Sequence, residues 1–225
     1  MCLSNFLRFQ FGSPSGLFGS LFVAPFLNFT NVNFIRDSVE LLDPEPDDRV
    51  LDIGFGGGYS LLALAMRTPK GRVAGVDRSP DMVSAAAHLI RQKKLQARVR
   101  VRRGDVVHLP FAAAMFDKVL CVNTIYYWPD LGAALGEIAR VLKPGGRLAV
   151  AFRSPESLRF VTLAWDNFVR YQPEEVSEAM RKAGFRGLRV THENPWRIPD
   201  NLVLIGERKK RAPRQQGRKA AAVAS

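Results

Sequence analysis

Apolar side chains recur at Val32, Ile35, Val39 and Leu42, a spacing that lays them along one face of an amphipathic helix over 31–42. Asp43–Asp48, with two prolines and several acids, ends that helix in a loop. Strand and helix signals then alternate. Arg49–Ile53 predicts a first strand, Tyr59–Met66 a helix and Arg72–Val76 a second strand. Ser79-Pro80-Asp81 supplies an N-cap, a proline at the first helical position and an early acid. Val83, Ala86, Leu89 and Ile90 mark the buried face of the helix that follows.

Ala97–Val101 and Phe116–Val122 read as the third and fourth strands. Asp130 caps a helix whose inner face is Leu131, Leu135, Ile138 and Leu142. Lys143-Pro144-Gly145-Gly146 breaks that helix, and Arg147–Phe152 is the fifth strand. Over 153–172 a helix starts at Ser154-Pro155-Glu156 but its end is not legible. Pro173–Ala183 is a helix, acidic at its start and stopped by Gly184. Phe185–Thr191 and Leu202–Glu207 read as two closing strands. Strands alternating with helices imply an α/β fold, a mostly parallel sheet with helices on both faces. No internal repeat is present.

Composition narrows the class. A chain of 225 residues, 47% hydrophobic and 24% charged, has the makeup of one ordinary globular domain, which excludes overall disorder. Cys2 and Cys121 alone provide neither a disulfide framework nor a multi-cysteine metal site. His88, His108 and His192 lie too far apart for a metal-ligand spacing, so no metal is expected. The simplest setting is reducing and cytoplasmic. Cys121, inside a buried strand, reads as core packing.

The net charge of +12 is uneven: seven basic residues and no acid fall in 208–225, and without them the body carries +5. A second basic run spans Arg91–Arg103. Such charge attracts nucleic acid or anionic membranes, but in a tail it reads first as a solvated, disordered segment. At the other end, eight of fifteen phenylalanines lie in the first 34 residues, interrupted by Gly12, Pro14, Gly16, Gly19 and Pro25. No apolar run approaches the ~20 residues that span a bilayer, and a signal peptide is a poor fit. Residues 1–30 are expected to form a Phe-rich extension, a lid or a membrane-facing segment, with packing of an extra helix as the plainer alternative.

The central motif is Val50-Leu51-Asp52-Ile53-Gly54-Phe55-Gly56-Gly57-Gly58, a buried strand entering a glycine turn and then a helix. Glycine permits positive φ and close backbone approach to a ligand, and the helix N-terminus adds free N–H groups. Asp77 ends the second strand nineteen residues after Gly58, where an acid can hold two ribose hydroxyls. Two features argue against a dinucleotide. Tyr59 stands where a third glycine is wanted, and the charge of Asp52 just before the turn would disfavour a pyrophosphate. That carboxylate suits a ligand with an ammonium and a sulfonium.

Over residues 31–207 the chain resembles the class I S-adenosylmethionine-dependent methyltransferases of the small-molecule type. The resemblance rests on motifs in order: Val50–Gly58, Gly75-Val76-Asp77-Arg78-Ser79, and Gly104-Asp105-Val106 with Leu109-Pro110-Phe111. Phe116-Asp117-Lys118-Val119 and Val141–Gly146 complete it. The family implies a Rossmann-like, doubly wound, seven-stranded sheet with one antiparallel strand. It implies S-adenosylmethionine as cofactor and S-adenosylhomocysteine as product. At the matching positions Gly54, Phe55, Gly56 and Gly58 would line the methionine and ribose, with Asp52 holding the amino group. Asp77 would bind the ribose, Arg78 would flank the adenine, and Asp105 and the Val106 N–H would meet its edge. Asn123 would touch the methionine end.

Ligands in such sheets sit beyond the carboxyl ends of the strands. The acceptor is expected against Asn123–Trp128 and under the Phe-rich start, with Tyr126, Tyr127 and Trp128 as an aromatic wall favouring the sulfonium. Transfer of a methyl group in line needs mainly positioning, so no base is obligatory. Many small-molecule relatives carry histidines near Tyr126 and Tyr127; here Tyr126, Tyr127 and His108 are the candidates for any catalytic group, and His108 reads first as an exposed loop residue. The expected acceptor is small and apolar or aromatic. Alternatives are a lipid or quinone reached by peripheral contact with a membrane, a nucleic acid, or binding of the cofactor without turnover. The nucleic-acid alternative is disfavoured because Asn123-Thr124-Ile125-Tyr126 is not an Asn/Asp-Pro-Pro-aromatic signature.

Overall fold

The computed structural model describes residues 24–128, 130–161, 169–192 and 201–210. The expectations for the Phe-rich segment before Ala24 and for the tail after residue 210 lie outside them. Helix α1 (Ala24–Leu42) leads into β1 (Arg49–Ile53), α2 (Tyr59–Arg67), β2 (Arg72–Asp77), α3 (Pro80–Gln92) and β3 (Val99–Arg103). Then follow β4 (Phe116–Val122), a single 3-10 turn (Ile125–Tyr127), α4 (Leu131–Val141) and β5 (Leu142–Arg153). Helices α5 (Pro155–Val161) and α6 (Pro173–Lys182) precede β6 (Phe185–His192) and β7 (Asn201–Arg208).

The seven strands form one sheet in the order β3-β2-β1-β4-β5-β7-β6. Pairs β1–β2, β1–β4, β2–β3 and β4–β5 are parallel, whereas β7 runs antiparallel to both β5 and β6. The fold is the expected doubly wound α/β sheet. Alternation along the strands divides two cores. Leu51, Val119, Cys121, Leu148 and Val150 face one side with Leu135 and Ile138 of α4, while Val50, Leu120 and Ala149 face the other with Leu42, Leu61 and Ala86. Each fully buried leucine there contributes ~1.5–3 kcal/mol relative to exposure.

Local chemistry sets the helix starts. The Ser79 hydroxyl accepts the Met82 N–H at 3.3 Å ahead of Pro80, and the Asp130 carboxylate accepts the Ala133 N–H at 2.9 Å. Helix α1 begins seven residues before the expected start, with Pro25 in its first turn, where its missing N–H costs nothing. Strand β3 starts two residues later than expected. The chain turns at Lys94 (φ 55°), and the Arg98 and Val99 N–H groups both return to the Leu95 carbonyl. As an edge strand, β3 carries exposed Arg100, Arg102 and Arg103, which the apolar pattern passes over. Strand β5 absorbs Lys143–Gly146 as an irregularity in its pairing with β4, between Phe116 and Lys118.

Helix α1 packs on α2, β4, β5 and β7. Its end is fixed to the middle of β5, where the Arg147 guanidinium donates to the Leu42 carbonyl at 3.3 Å. From Arg147 to Arg153 the strand climbs ~20 Å, which α1 covers in about thirteen residues. The first turns of α1 therefore reach the carboxyl edge of the sheet. No helix among the described residues is long and apolar enough to cross a membrane.

Candidate active site

The topology reverses between β1 and β4, so their carboxyl ends at Ile53 and Val122 open the crevice where ligands of doubly wound sheets bind. The glycine turn fills its near side. Gly54, Gly56 and Gly58 all have positive φ, at 72°, 51° and 85°. The Gly54 N–H donates to the Val76 carbonyl at 2.7 Å and the Gly58 N–H to the Phe55 carbonyl at 2.9 Å. A Cβ on Gly54 would lie 2.2 Å from Cγ2 of Thr124, so the turn closes against the β4 loop only because that position is bare.

Asp77 ties this turn to β2. Its Oδ2 accepts the Gly56 N–H at 3.0 Å and its Oδ1 the Ser79 N–H at 2.9 Å. The residue is buried, and burial raises its pKa although the two backbone donors pull the other way. Asp52 is sealed more fully. Burial pushes its carboxyl up to about 7, opposed by the Ser60 hydroxyl and reinforced by the charge of Asp77. Its Oδ2 has no hydrogen-bond partner, and neither has the buried Thr124 Oγ1. Such orphaned buried groups are costly and call for an occupant. A carboxylate and a hydroxyl flanking Gly54 fit an ammonium.

The other expected residues fall into three places. Gly104 donates to the Asp77 carbonyl at 3.1 Å, which brings Asp105 and Val106 beside the second strand's end. Asp105 is exposed and its Oδ1 accepts the Val107 N–H at 3.1 Å, while Val106 is buried. Arg78, exposed, lies 5.3 Å from the centre of the half-buried Tyr127 ring, a cation–π pair at the rim. Burial raises the Tyr127 phenol, and Asp77 is near enough to add to that rise. Phe55 is buried, its ring over Gly75, where a Cβ would approach it to 2.6 Å.

Of the aromatic segment, only Tyr127 is partly open; Tyr126 and Trp128 are buried in the core. The Tyr126 hydroxyl accepts the Arg153 N–H and donates to Asn123 Oδ1 at 3.0 Å. Burial lifts its pKa far from neutrality. Asn123 holds the left-handed conformation (φ 54°) that asparagine tolerates, with its N–H on the Ala151 carbonyl at 2.8 Å. The Trp128 carbonyl accepts the Tyr171 hydroxyl at 3.4 Å. Tyr126 and Trp128 thus brace the wall from behind. His108 is exposed in a short bridge with Asp105. Nearby, the Arg140 hydrogen bond holds the Glu137 carboxyl below the usual range. Burial pushes the Cys121 thiol up, as for a packing residue.

Four contributors were not singled out by sequence: Ser60, Thr124, Gly75 and Arg153. Gly75 had a readable signal, since glycine inside a strand marks a close approach. Ser60, Thr124 and Arg153 act through contacts that only the folded chain makes.

Comparison with known proteins places this geometry. A family model described as "Methyltransferase domain" matches residues 51–150. The nocamycin O-methyltransferase of Saccharothrix syringae is 31% identical over 210 residues, covering 79% of this chain and 75% of that protein. The chain belongs to the class I S-adenosylmethionine-dependent methyltransferases. A demethylmenaquinone methyltransferase of Lactobacillus johnsonii is 33% identical over 127 residues, 56% of this chain and 52% of that protein. The chain thus spans about half the length of several curated relatives, from 40% to 59%. Among solved structures, the methyltransferase in complex with the Haloferax volcanii Trm112 methyltransferase activator superposes with a TM-score of 0.73 at 26% identity, over 85% of this chain and 96% of that one. The seven-stranded order with antiparallel β7 is that of the class I methyltransferases. Membership implies S-adenosylmethionine, and the orphaned Asp52 Oδ2 and the bare Gly54 fit it.

Proposed function

We propose that this chain is an S-adenosylmethionine-dependent methyltransferase acting on a small, apolar or aromatic acceptor. The observation that carries the reading is the buried Asp52 carboxyl, with one oxygen unpartnered, beside a glycine turn that Asp77 holds in place. Asp52, with Thr124, takes the ammonium of the cofactor. Asp77 keeps lone pairs for the ribose hydroxyls while its backbone contacts shape Gly56. Arg78 flanks the adenine; Asp105 and the Val106 N–H meet its edge, and Asn123 lies at the methionine end. When bound, the cofactor supplies an electrophilic methyl group on sulfur. The chain's own contribution is to exclude water and to hold the acceptor in line, which needs no base. Tyr127, the one partly open ring of the aromatic segment, and the first turns of α1 border the space for the acceptor.

Calorimetry with S-adenosylhomocysteine, followed by labelled S-adenosylmethionine and a panel of phenols, enols and quinols, tests the reading. Saturable binding with labelled product supports it; no binding by the intact chain overturns it.

A lipid or quinone acceptor at a membrane surface is the second reading. A groove of about 600 Å³ between α1 and α2 is lined by Val39, Leu62, Ala63 and Leu95, with Arg36, Arg67, Lys93 and one acid, Glu40, around it. Met66 in its lining is 81% exposed. An apolar floor with three cations against one acid at its margin fits an anionic interface. The demethylmenaquinone methyltransferase among the relatives accords with such an acceptor. Sedimentation with anionic vesicles separates the two readings: no binding at low salt dismisses the interfacial one.

A further inference from the structure

Arg153 stands at the carboxyl end of β5, and the assigned roles leave it without a task. Its Nε is buried and has no hydrogen-bond partner, and no carboxylate among the described residues pairs with its guanidinium. The residue is half-buried. Strand alternation sets it on the side of Ala149 and Ala151, which pack with Phe34 and Ile35 of α1, while Phe152 faces the other core. A half-buried guanidinium whose Nε is shut off from water without an acceptor, and which has no carboxylate beside it among the described residues, keeps donors for an anionic ligand.

Its position says which ligand that is. Strand β5 is two strands from β1, about 10 Å across the sheet, so Arg153 lies beyond the turn that takes the cofactor and beside the loop after β4. Its own N–H donates to the Tyr126 hydroxyl, which also holds Asn123. The guanidinium is close enough for its charge to act on the Tyr126 phenol. The first turns of α1 reach the same edge. The residue is therefore fixed at its root, at the sheet edge beside the loop after β4.

We propose that Arg153 is the anchor of an oxyanion on the methyl acceptor, a carboxylate or an ionised phenol or enol. The proposal rests on the methyltransferase reading and narrows its substrate class. Arginine suits the role because its planar fork stays charged and presents paired donors to two oxygens or to one with a neighbour. An acceptor whose hydroxyl is held as the anion needs no base at the site. The proton is released to water as the anion binds.

The test uses the full chain saturated with S-adenosylhomocysteine and three probes: 4-nitrophenol, 4-nitrobenzoate and neutral 4-nitrobenzamide. Binding of each is followed by equilibrium dialysis, and ionisation of 4-nitrophenol by its visible band. Tighter binding of at least one anionic probe than of the amide is expected. Benzoate binding alone identifies a carboxylate, and a lowered apparent pKa of bound nitrophenol identifies a phenol or enol. Arg153→Gln should weaken the anionic probe roughly tenfold or more, with Arg153→Lys between the two and the amide unaffected. Affinity for S-adenosylhomocysteine should stay the same in both variants. Equal binding of anions by wild type and Arg153→Gln, or no preference for anions in the wild type, overturns the proposal. Loss of S-adenosylhomocysteine binding in Arg153→Gln would assign the residue to the cofactor instead. Failure of the wild type to bind S-adenosylhomocysteine would sink the underlying reading, not this one.

Discussion

The Asp77 carboxylate accepts the Gly56 N–H at 3.0 Å, so the acid that closes the second strand also fastens the glycine turn after the first. The same side chain accepts the Ser79 N–H at 2.9 Å and shapes the entry to α3. From sequence, Asp77 reads as a ribose ligand alone. In the fold the carboxylate also has a structural role, and the proposed ribose contact falls on the same group. Replacement by alanine leaves two N–H groups short of an acceptor, each worth ~1–3 kcal/mol when buried. Asp77→Ala is therefore expected to lower the melting temperature as well as to abolish S-adenosylhomocysteine binding. Asp77→Asn keeps one acceptor oxygen and should melt closer to wild type, yet bind roughly a hundredfold more weakly by calorimetry. Unchanged affinity in Asp77→Asn would remove the carboxylate from the site.

Asp52 gives the unliganded protein a pH dependence of known sign. Burial raises its carboxyl to about 7, so between roughly pH 4 and 7 the folded chain keeps a proton that the unfolded chain has released. Its contribution to stability is full below pH 4, declines as pH rises to about 7, and is then constant. The decline is on the order of a few kcal/mol. Thermal unfolding across pH 5 to 8 should show it in the wild type and not in Asp52→Asn. An ammonium ligand needs the ionised carboxylate, so affinity for S-adenosylhomocysteine should rise with pH over the same interval, with proton release on binding. A flat pH profile for wild-type affinity would contradict the role of Asp52.

Gly54 answers to Thr124. Alanine at this position meets Cγ2 of Thr124 at 2.2 Å and must also hold φ at 72°, which costs an L-residue ~1–2 kcal/mol. Gly54→Ala should lower the melting temperature and weaken S-adenosylhomocysteine. Adding Thr124→Ser removes the methyl group in the way but not the dihedral strain. The double variant should regain part of the lost stability, and no recovery would mean that the backbone alone demands glycine.

The alternation of strands and helices was readable because this sheet is buried on both faces, so its strands appear as apolar runs between capped helices. Ser79 and Asp130 form the caps expected of them, and β7 enters between β5 and β6 as the antiparallel member. Pattern reading slipped where exposure replaces burial. β3, at the edge, carries three exposed arginines and begins two residues late. At the site, the glycine turn was legible because positive φ demands a particular residue type, and Asp52 and Asp77 stand beside it where the motif sets them. The pairing of Asp52 with Ser60, and of Gly54 with Thr124, was not, since these contacts join segments that are adjacent only in space. Tyr126 illustrates the opposite error. An aromatic residue in a loop after a strand invites a reading as pocket wall, yet its ring fills the core and only its hydroxyl works at the edge.

That hydroxyl supports the last prediction. Tyr126 takes the Arg153 N–H and gives its own proton to Asn123, linking the ends of β4 and β5 through one buried oxygen. Tyr126→Phe preserves the packing of the ring but strands the Arg153 N–H and one Asn123 acceptor. The expected loss is ~1–3 kcal/mol of stability, read from urea unfolding with an unchanged slope. The glycine turn, two strands away from β5, should be undisturbed, so S-adenosylhomocysteine affinity should change less than twofold. Once an acceptor is in hand, its KM should rise if Arg153 anchors it as proposed. A rise in cofactor KM with acceptor KM unchanged would instead place the Tyr126 link on the cofactor side of the crevice.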